Sequence, residues 1–200
     1  MKLTPQAIVD SLPPSDRHRL SAFKDLLADR AVPLGMIAAA DLSRLWERHV
    51  LDSVRGLSCV PARAETVADI GSGAGLPGIP IAVCRPDLKI FLVEPSSRRA
   101  GFLELVAEKL GLHNVRVVVD RAERLELTVD LCLARAVASP GRTWRLAEGL
   151  LAPEGRLLLW AGSKWPGAAA SELNRRAVPW KICAPPGFSW EGPLVIMGGT

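Results

Sequence analysis

A glycine-rich segment directly behind an apolar run constrains the fold of this chain more than any other feature. Residues 67–80 read VADIGSGAGLPGIP and contain four glycines and two prolines. A strand that ends in such a turn and leads into a helix brings backbone N–H groups and the positive end of the helix to one point. Glycines there let a ligand approach the backbone closely, and Pro77 suits the first turn of a helix. The segment therefore predicts a site for a nucleotide-like ligand.

Two classes of ligand fit this turn. Gly73, Gly75 and Gly78 match the GxGxxG fingerprint of dinucleotide-binding proteins, and an acid follows about twenty residues later at Glu94. A nicotinamide-dependent dehydrogenase is therefore one hypothesis. The string DIGSGAG at residues 69–75 fits instead the turn with which Rossmann-like methyltransferases bind S-adenosylmethionine. The dinucleotide match requires its last glycine to lie beyond the turn itself, which favours the second hypothesis.

Charged residues at the ends of the predicted strands favour the same ligand. Asp69 ends the first strand, where a carboxylate can reach the ammonium group of a methionine moiety but would repel a pyrophosphate. Glu94 ends the next apolar run, and in a doubly wound sheet that position faces the crevice in which ribose hydroxyls bind. The same carboxylate also suits the start of the helix near Ser97, and the two roles are compatible. Arg135 ends the fourth run, between the expected positions of cofactor and substrate.

The remainder of the chain predicts the fold. From residue 65 onward the runs TVADI, KIFLVE, VRVVV, VDLCLA and GRLLLWA alternate with helical segments at 78–85, 97–110, 122–125 and 140–151. This alternation predicts right-handed βαβ units and a mostly parallel sheet. The later runs VPWKICA and PLVIMG predict a long hairpin with one antiparallel strand. We therefore expect an α/β fold with a mostly parallel seven-stranded sheet over residues 61–200.

Residues 1–60 predict a helical N-terminal extension that packs on this core. One helix is expected to begin at the sequence PPSD, and a second follows Asp41. The second helix has an apolar stripe that contains Leu42, whereas Arg44, Arg48 and Arg55 fall on another face that we interpret as solvated.

Composition limits the classes of protein to which the chain can belong. Hydrophobic residues make up 48% of the 200 residues and the net charge is +4, which is ordinary for a globular protein and does not by itself indicate nucleic-acid binding. The four cysteines, Cys59, Cys84, Cys132 and Cys183, are widely spaced, so we expect neither a metal site nor a disulfide framework. No apolar run approaches membrane-spanning length, and the N-terminus has no continuous apolar core of a signal peptide. These features predict a cytoplasmic protein without membrane association.

Several motifs together resemble one family, the RsmG (GidB) family of bacterial 16S ribosomal RNA guanine-N7 methyltransferases. The segments that resemble it occur in the family's order and spacing, and the GLPGIP and ARA strings are more specific than a generic glycine turn. They are LWERHVLDS at 45–53, DIGSGAGLPGIP at 69–80, RPDL at 85–88, VEP at 93–95, RAE at 121–123 and ARAVAS at 134–139.

The resemblance implies a Rossmann-like class I methyltransferase fold and S-adenosylmethionine as methyl donor. It implies 16S rRNA or the small ribosomal subunit as partner, and we expect a monomer. No catalytic residue is assigned, because guanine N7 already presents a lone pair and positioning can supply the catalysis. The turn pattern and the resemblance together predict cofactor binding by Asp69, Gly71, Ser72, Gly73, Gly75, Leu76, Glu94, Ala122, Glu123 and Arg135. The expected substrate-side residues are Arg48, His49, Arg135 and Lys164. For Arg48 and His49, helix packing with an Arg48–Asp52 ion pair is an equally good interpretation.

The chain departs from the family pattern mainly on the substrate side. Lys164 is displaced from the Lys-Gly pair that usually follows the fifth strand, and an Arg-His pair before the last strand is replaced by Glu191, Gly192 and Pro193. An Asn-Leu-Thr string is replaced by the residues 32–35, VPLG. These departures keep a second hypothesis open, a non-catalytic RNA- or ribosome-binding protein that retains the S-adenosylmethionine pocket.

Overall fold

Seven strands form a single sheet in the computed structural model, which describes residues 4–165, 167–184 and 192–199. The strands are β1 (Thr66–Ile70), β2 (Lys89–Val93), β3 (Val115–Val118), β4 (Val129–Arg135), β5 (Leu151–Trp160), β6 (Trp180–Ala184) and β7 (Leu194–Met197). Their order in the sheet is β3-β2-β1-β4-β5-β7-β6. The pairs among β1 to β5 are parallel, and β7 runs antiparallel to both β5 and β6. The predicted α/β fold with a mostly parallel seven-stranded sheet is confirmed. Residues 185–191, which include Glu191, lie outside the described residues.

The connections between the parallel strands are helical, as the alternating pattern predicts. The helix Ser97–Leu110, α5, spans the predicted residues, and Gly111 after it has a φ of +63°, the left-handed conformation that commonly ends a helix. The α-helices are α1 (Pro5–Ser11), α2 (Pro14–Leu26), α3 (Asp52–Val54), α4 (Gly78–Cys84), α5 (Ser97–Leu110), α6 (Pro140–Glu148) and α7 (Gly167–Arg175). A 3₁₀ turn at Ala122–Arg124 follows β3.

Helices cover both faces of the sheet. Val67 of β1 packs in one apolar cluster with α4, α5 and the N-terminal region, whereas the neighbouring Ala68 packs with α6 and α7 in the other. Successive strand residues point to opposite faces, so a strand covered on both sides must be apolar throughout. This is why the strands appear in the sequence as continuous apolar runs.

The N-terminal region differs from the predicted pair of helices. α2 begins at Pro14 as expected and buries Leu20 and Phe23. The segment after it consists of short pieces rather than one helix, with a 3₁₀ turn at Ala39–Arg44, a π-helical stretch at Leu45–Leu51, α3 and a second 3₁₀ turn at Arg55–Cys59. Leu42, predicted in the apolar stripe, is 51% exposed because the segment does not keep one helical period.

Two expectations about side chains in this region are wrong. Arg55 does not lie on a solvated face but is buried. The absence of a disulfide is also wrong, because Cys59 and Cys183 form one, with Cα atoms 5.9 Å apart across 124 residues of sequence. The 3₁₀ turn that contains Cys59 packs against β6, and only this long-range contact brings the two thiols together. Within the described residues, no helix combines the length and hydropathy that a bilayer crossing requires.

Candidate functional site

The glycine turn between β1 and α4 is tied to the end of β2. The N–H groups of Gly71 and Ser72 both donate to the carbonyl of Val93, at 2.8 and 3.1 Å. Gly71 has a φ of +66°, and a Cβ atom there would lie 3.3 Å from the Val137 side chain. The turn therefore presents bare backbone at the carboxyl ends of β1 and β2, the edge of a parallel sheet at which ligands bind.

Glu94 holds the turn in place. Its carboxylate is buried, with Oε2 accepting from Gly73 N–H and Oε1 from Ser96 N–H, each at 3.0 Å. Glu94 thus links the turn to the residue that precedes α5. A carboxylate oxygen has a second acceptor position, so these bonds leave each oxygen able to accept one more donor.

Asp69 lies behind the turn rather than beside an open space. Its side chain is fully buried, and Oδ2 accepts from Gly78 N–H, the first residue of α4, at 3.0 Å. Burial raises the pKa of this carboxyl to about 7, against the lowering effect of the Gly78 bond. Oδ1 has no hydrogen-bond partner in the part of the chain that the structure describes. The position suits a residue that shapes the turn and the start of α4.

Two cavities meet at Gly71. We name the first, of about 310 Å³, the turn cavity and the second, of about 320 Å³, the Ala122 cavity. Both lie at the point where β1 separates β2 from β4, the switch point at which doubly wound sheets bind ligands. Of the predicted cofactor residues, the turn cavity is lined by Gly71, Ser72, Gly73, Leu76 and Arg135, and the Ala122 cavity by Gly71, Ala122 and Glu123. Asp69, Gly75 and Glu94 line neither cavity.

A third cavity, of about 430 Å³, adjoins the turn cavity. We name it the Arg48 cavity, and its walls come from the N-terminal segment and from the ends of β4 and β5. His49, Arg135 and Ala136 line both the turn cavity and the Arg48 cavity. Any groups bound in the two cavities would therefore meet beside these three residues.

Arg135 fastens the N-terminal segment to the end of β4. Its Nη2 donates to the carbonyl of Arg48 at 2.8 Å and lies 3.1 Å from the carboxylate of Asp52. Its Nη1 lies 3.4 Å from both the carbonyl of His49 and the hydroxyl of Ser53. The carbonyls of Arg48 and His49 belong to the π-helical stretch. The segment in which the backbone is not α-helical is therefore the one whose carbonyls Arg135 binds.

Asp52 is the buried centre of this junction. Its Oδ1 accepts from both Nε and Nη2 of Arg55, at 3.1 and 2.6 Å, and its carbonyl accepts from the indole N–H of Trp160 at 2.8 Å. Arg55 also donates to the carbonyl of Gly192, two residues before β7. The alternative of an Arg48–Asp52 ion pair is therefore wrong, because Asp52 pairs with Arg55 and Arg135.

Arg48 and His49 share a different carboxylate. Asp41 places Oδ1 3.2 Å from Nη1 of Arg48 and Oδ2 3.1 Å from Nε2 of His49. The pKa of His49 is lowered, first by burial and then by the nearby charge of Arg135, against the raising effect of Asp41. Near neutral pH the imidazole is therefore uncharged, with its Nε2 proton directed to Asp41.

The structure does not bring every predicted residue to the cavities. Lys164 is exposed and lines none of the three, although Gly162 and Ser163 beside it line the Arg48 cavity. Sequence reasoning missed Asp41 and Trp160 as parts of the site. Asp41 is eight residues from His49, which on a regular helix would separate the two by about 12 Å along the axis, and Trp160 reads as one more apolar strand residue.

Comparison with known proteins shows which family the chain resembles in sequence. The sequence profile described as rRNA small subunit methyltransferase G, GidB, matches residues 16–178. Proteins named ribosomal RNA small subunit methyltransferase G from Nocardioides sp. and Streptomyces coelicolor are 44% and 47% identical over 163 and 145 residues. The matches cover 80% and 70% of this chain but 63% and 59% of those relatives. The chain thus spans less than two thirds of their length.

Solved structures support the fold. An S-adenosylmethionine-dependent methyltransferase from Aquifex aeolicus superposes with a TM-score of 0.63 at 19% identity, over 82% of this chain and 97% of that one. An rRNA methylase from Streptococcus thermophilus superposes with a TM-score of 0.53 at 17% identity, over 77% and 97%. The chain therefore has the Rossmann-like fold of these methyltransferases, and by its sequence it belongs to the GidB family, the family of rRNA small subunit methyltransferase G.

Proposed function

We propose that this chain binds S-adenosylmethionine across the turn cavity and the Ala122 cavity and methylates N7 of a guanine in 16S rRNA. The observation that supports this most is the sharing of His49, Arg135 and Ala136 by the turn cavity and the Arg48 cavity. A methyl donor and an acceptor base in these neighbouring spaces would meet at one point. The names of the relatives support an rRNA substrate, and the acceptor atom rests on the resemblance of the motifs.

The residues around Gly71 fit the cofactor. Because Gly71 carries no side chain, an extended ligand can cross from one cavity to the other against the backbone. The Gly73 side of the turn is open, since the nearest atom to an added Cβ is the Gly71 carbonyl at 3.8 Å. In this proposal the methionine part lies against Ser72 and Gly73, and the adenine lies at Ala122 and Glu123. Glu94 lines neither cavity and supports the site by holding the turn through Gly73 and Ser96.

The methyl transfer requires little of the protein beyond placing the donor and the base next to each other. S-adenosylmethionine supplies a methyl group on a sulfonium, and guanine N7 offers a lone pair without losing a proton. The task of the chain is to hold the base in the Arg48 cavity and to exclude water. Asp41 and Asp52 offset two of the three arginine charges around that cavity and so reduce the repulsion of a base that becomes cationic.

The test uses the purified chain with radiolabelled S-adenosylmethionine. The acceptors are small ribosomal subunits and protein-free 16S rRNA from cells that lack the gene. Mass mapping of the product should find one 7-methylguanosine, and subunits from cells that have the gene should take up no label. Binding of S-adenosylmethionine without transfer to either acceptor would favour the non-catalytic RNA- or ribosome-binding protein. Binding of NAD in its place, measured by calorimetry, would favour the dehydrogenase.

A further inference from the structure

Three arginines line the Arg48 cavity, and they differ in how far the protein already uses their donors. The side chain of Arg55 is 1% exposed and holds Asp52 and the Gly192 carbonyl. The side chain of Arg135 is 19% exposed, and both of its terminal nitrogens donate to the N-terminal segment. These two arginines build the wall of the cavity.

Arg48 is different. Its side chain is 42% exposed, and Asp41 contacts it at one terminal nitrogen, Nη1. Among the residues that the structure describes, Nη2 and Nε of Arg48 have no hydrogen-bond partner. Asp41 also holds His49, so this carboxylate fixes the position of the guanidinium at the boundary between the two cavities. A guanidinium anchored at one end and exposed at the other is suited to a ligand.

Resting on the proposed function, we propose that Arg48 selects the acceptor base by donating a hydrogen bond to O6 of guanine. The common arginine contact with guanine uses both O6 and N7. Here N7 is the atom that is methylated, so its lone pair must stay free. A guanidinium tethered to Asp41 and donating to O6 alone meets this requirement. Adenine carries an amino group at the same place, and two donors would then face each other.

Arg48 and Arg135 were both expected on the substrate side, and here the base contact is assigned to Arg48. Arg135 acts as a positioning residue, since its donors fix the carbonyls of Arg48 and His49. Arg48 lines the Arg48 cavity and not the turn cavity. Replacing Arg48 should therefore change base selection while cofactor binding stays intact.

The experiment compares two acceptor bases. Once the methylated nucleotide has been mapped, 16S rRNA is assembled with 2-aminopurine at that nucleotide, which keeps N7 but lacks O6. The wild-type chain should methylate the 2-aminopurine RNA at least about tenfold more slowly, in kcat/KM, than the guanine RNA. With Arg48→Met, which keeps the length of the stem but has no hydrogen-bond donor, the two RNAs should be methylated at nearly equal rates. Arg63→Met, at an exposed pair with Glu154 beside a separate cavity, should keep the wild-type ratio.

The outcomes separate the two proposals. If the wild type methylates both RNAs equally, or if Arg48→Met keeps the full penalty, Arg48 does not read O6, although the methyltransferase function stands. If the wild type transfers no methyl group to the guanine RNA, the proposed function itself fails. Calorimetry with S-adenosylmethionine shows whether the variant is folded. Should Arg48→Met not bind it, Arg48→Leu, which also lacks a donor, takes its place.

Discussion

The carboxylate of Asp52 lies 3.1 Å from the guanidinium of Arg135, at the junction between the N-terminal segment and the end of β4. Asp52 also neutralises Arg55, so one buried carboxylate serves two arginines. Removing its charge takes this carboxylate away from both guanidinium groups, and breaking a buried pair in this way typically costs about 3–5 kcal/mol. We expect Asp52→Asn to lower the free energy of unfolding by this amount in urea titrations. Glu154→Gln, which breaks an exposed pair with Arg63, should change it by less than about 1 kcal/mol. If the two variants were equally stable, the ion pairs of Asp52 would not contribute to the free energy of unfolding as expected.

Gly73 gives a test of the turn cavity. Its φ is +56°, which strains any β-branched residue, and an added Cβ would enter the open side of the turn. We expect Gly73→Val to reduce S-adenosylmethionine binding below detection in a calorimetric titration. The control is Gly101→Ala on α5, where an added Cβ meets no atom within 4 Å. If Gly73→Val binds as tightly as the wild type, the cofactor lies elsewhere.

The raised pKa of Asp69 predicts how the free energy of unfolding depends on pH. Its pKa in the folded chain is raised from 3.8 to about 7 by complete burial. The folded state therefore binds this proton more tightly than the unfolded state, and the group destabilises the fold increasingly as the pH rises from about 4 to about 7. Asp69→Asn removes the charge and keeps an oxygen for the Gly78 N–H. We expect this variant to be more stable than the wild type above about pH 7 and nearly equal to it at about pH 4.

The pKa of Asp130 is shifted in the opposite direction, so its effect on stability should depend on pH in the opposite way. The N–H groups of Glu65 and Thr66 lower the pKa of its carboxyl. The stability that this group contributes is present above its unfolded-state pKa and is lost as the pH falls through the folded-state value. Asp130→Asn should therefore be less stable than the wild type at neutral pH, and the difference should shrink in acid. Parallel pH profiles for the Asp69 and Asp130 variants would contradict both assignments.

The Cys59–Cys183 disulfide should be measurable in the purified, oxidised chain. It links the 3₁₀ turn before β1 to β6, and loss of a native disulfide commonly costs about 2–5 kcal/mol. We expect dithiothreitol to lower the free energy of unfolding of the wild type but not that of Cys59→Ser. Cys84→Ser should respond to the reductant as the wild type does, because Cys84 is a free thiol. Labelling of four thiols in unreduced, unfolded wild-type chain would rule the bond out.

Local patterns predicted the fold well because each pattern reports on its own neighbourhood. The TVADI run became β1 without a change of boundary, and α5 spans the predicted residues. The glycine turn was also placed correctly, since its conformation depends on adjacent residues. These elements required no knowledge of distant parts of the chain.

The site was predicted less completely because its polar residues are defined by long-range contacts. Arg135 and Trp160 bind backbone carbonyls of the N-terminal segment, and backbone carbonyls have no signature in a sequence. Arg55 was interpreted as exposed because helical spacing placed it with Arg44, and its burial depends on Asp52 and on Gly192. Only the assembled sheet brings these groups together.

Residues 48–55 are bound to the sheet at several points. These contacts limit how the N-terminal region can be replaced, in evolution or in the laboratory. The end of β4, the end of β5 and the backbone before β7 each bind this segment through Arg135, Trp160 and Gly192. The N-terminal region is therefore not an interchangeable module. A chimera that joined another leading segment to this sheet would have to supply the Asp52 carboxylate, or Arg135 would lose its ion pair with that group.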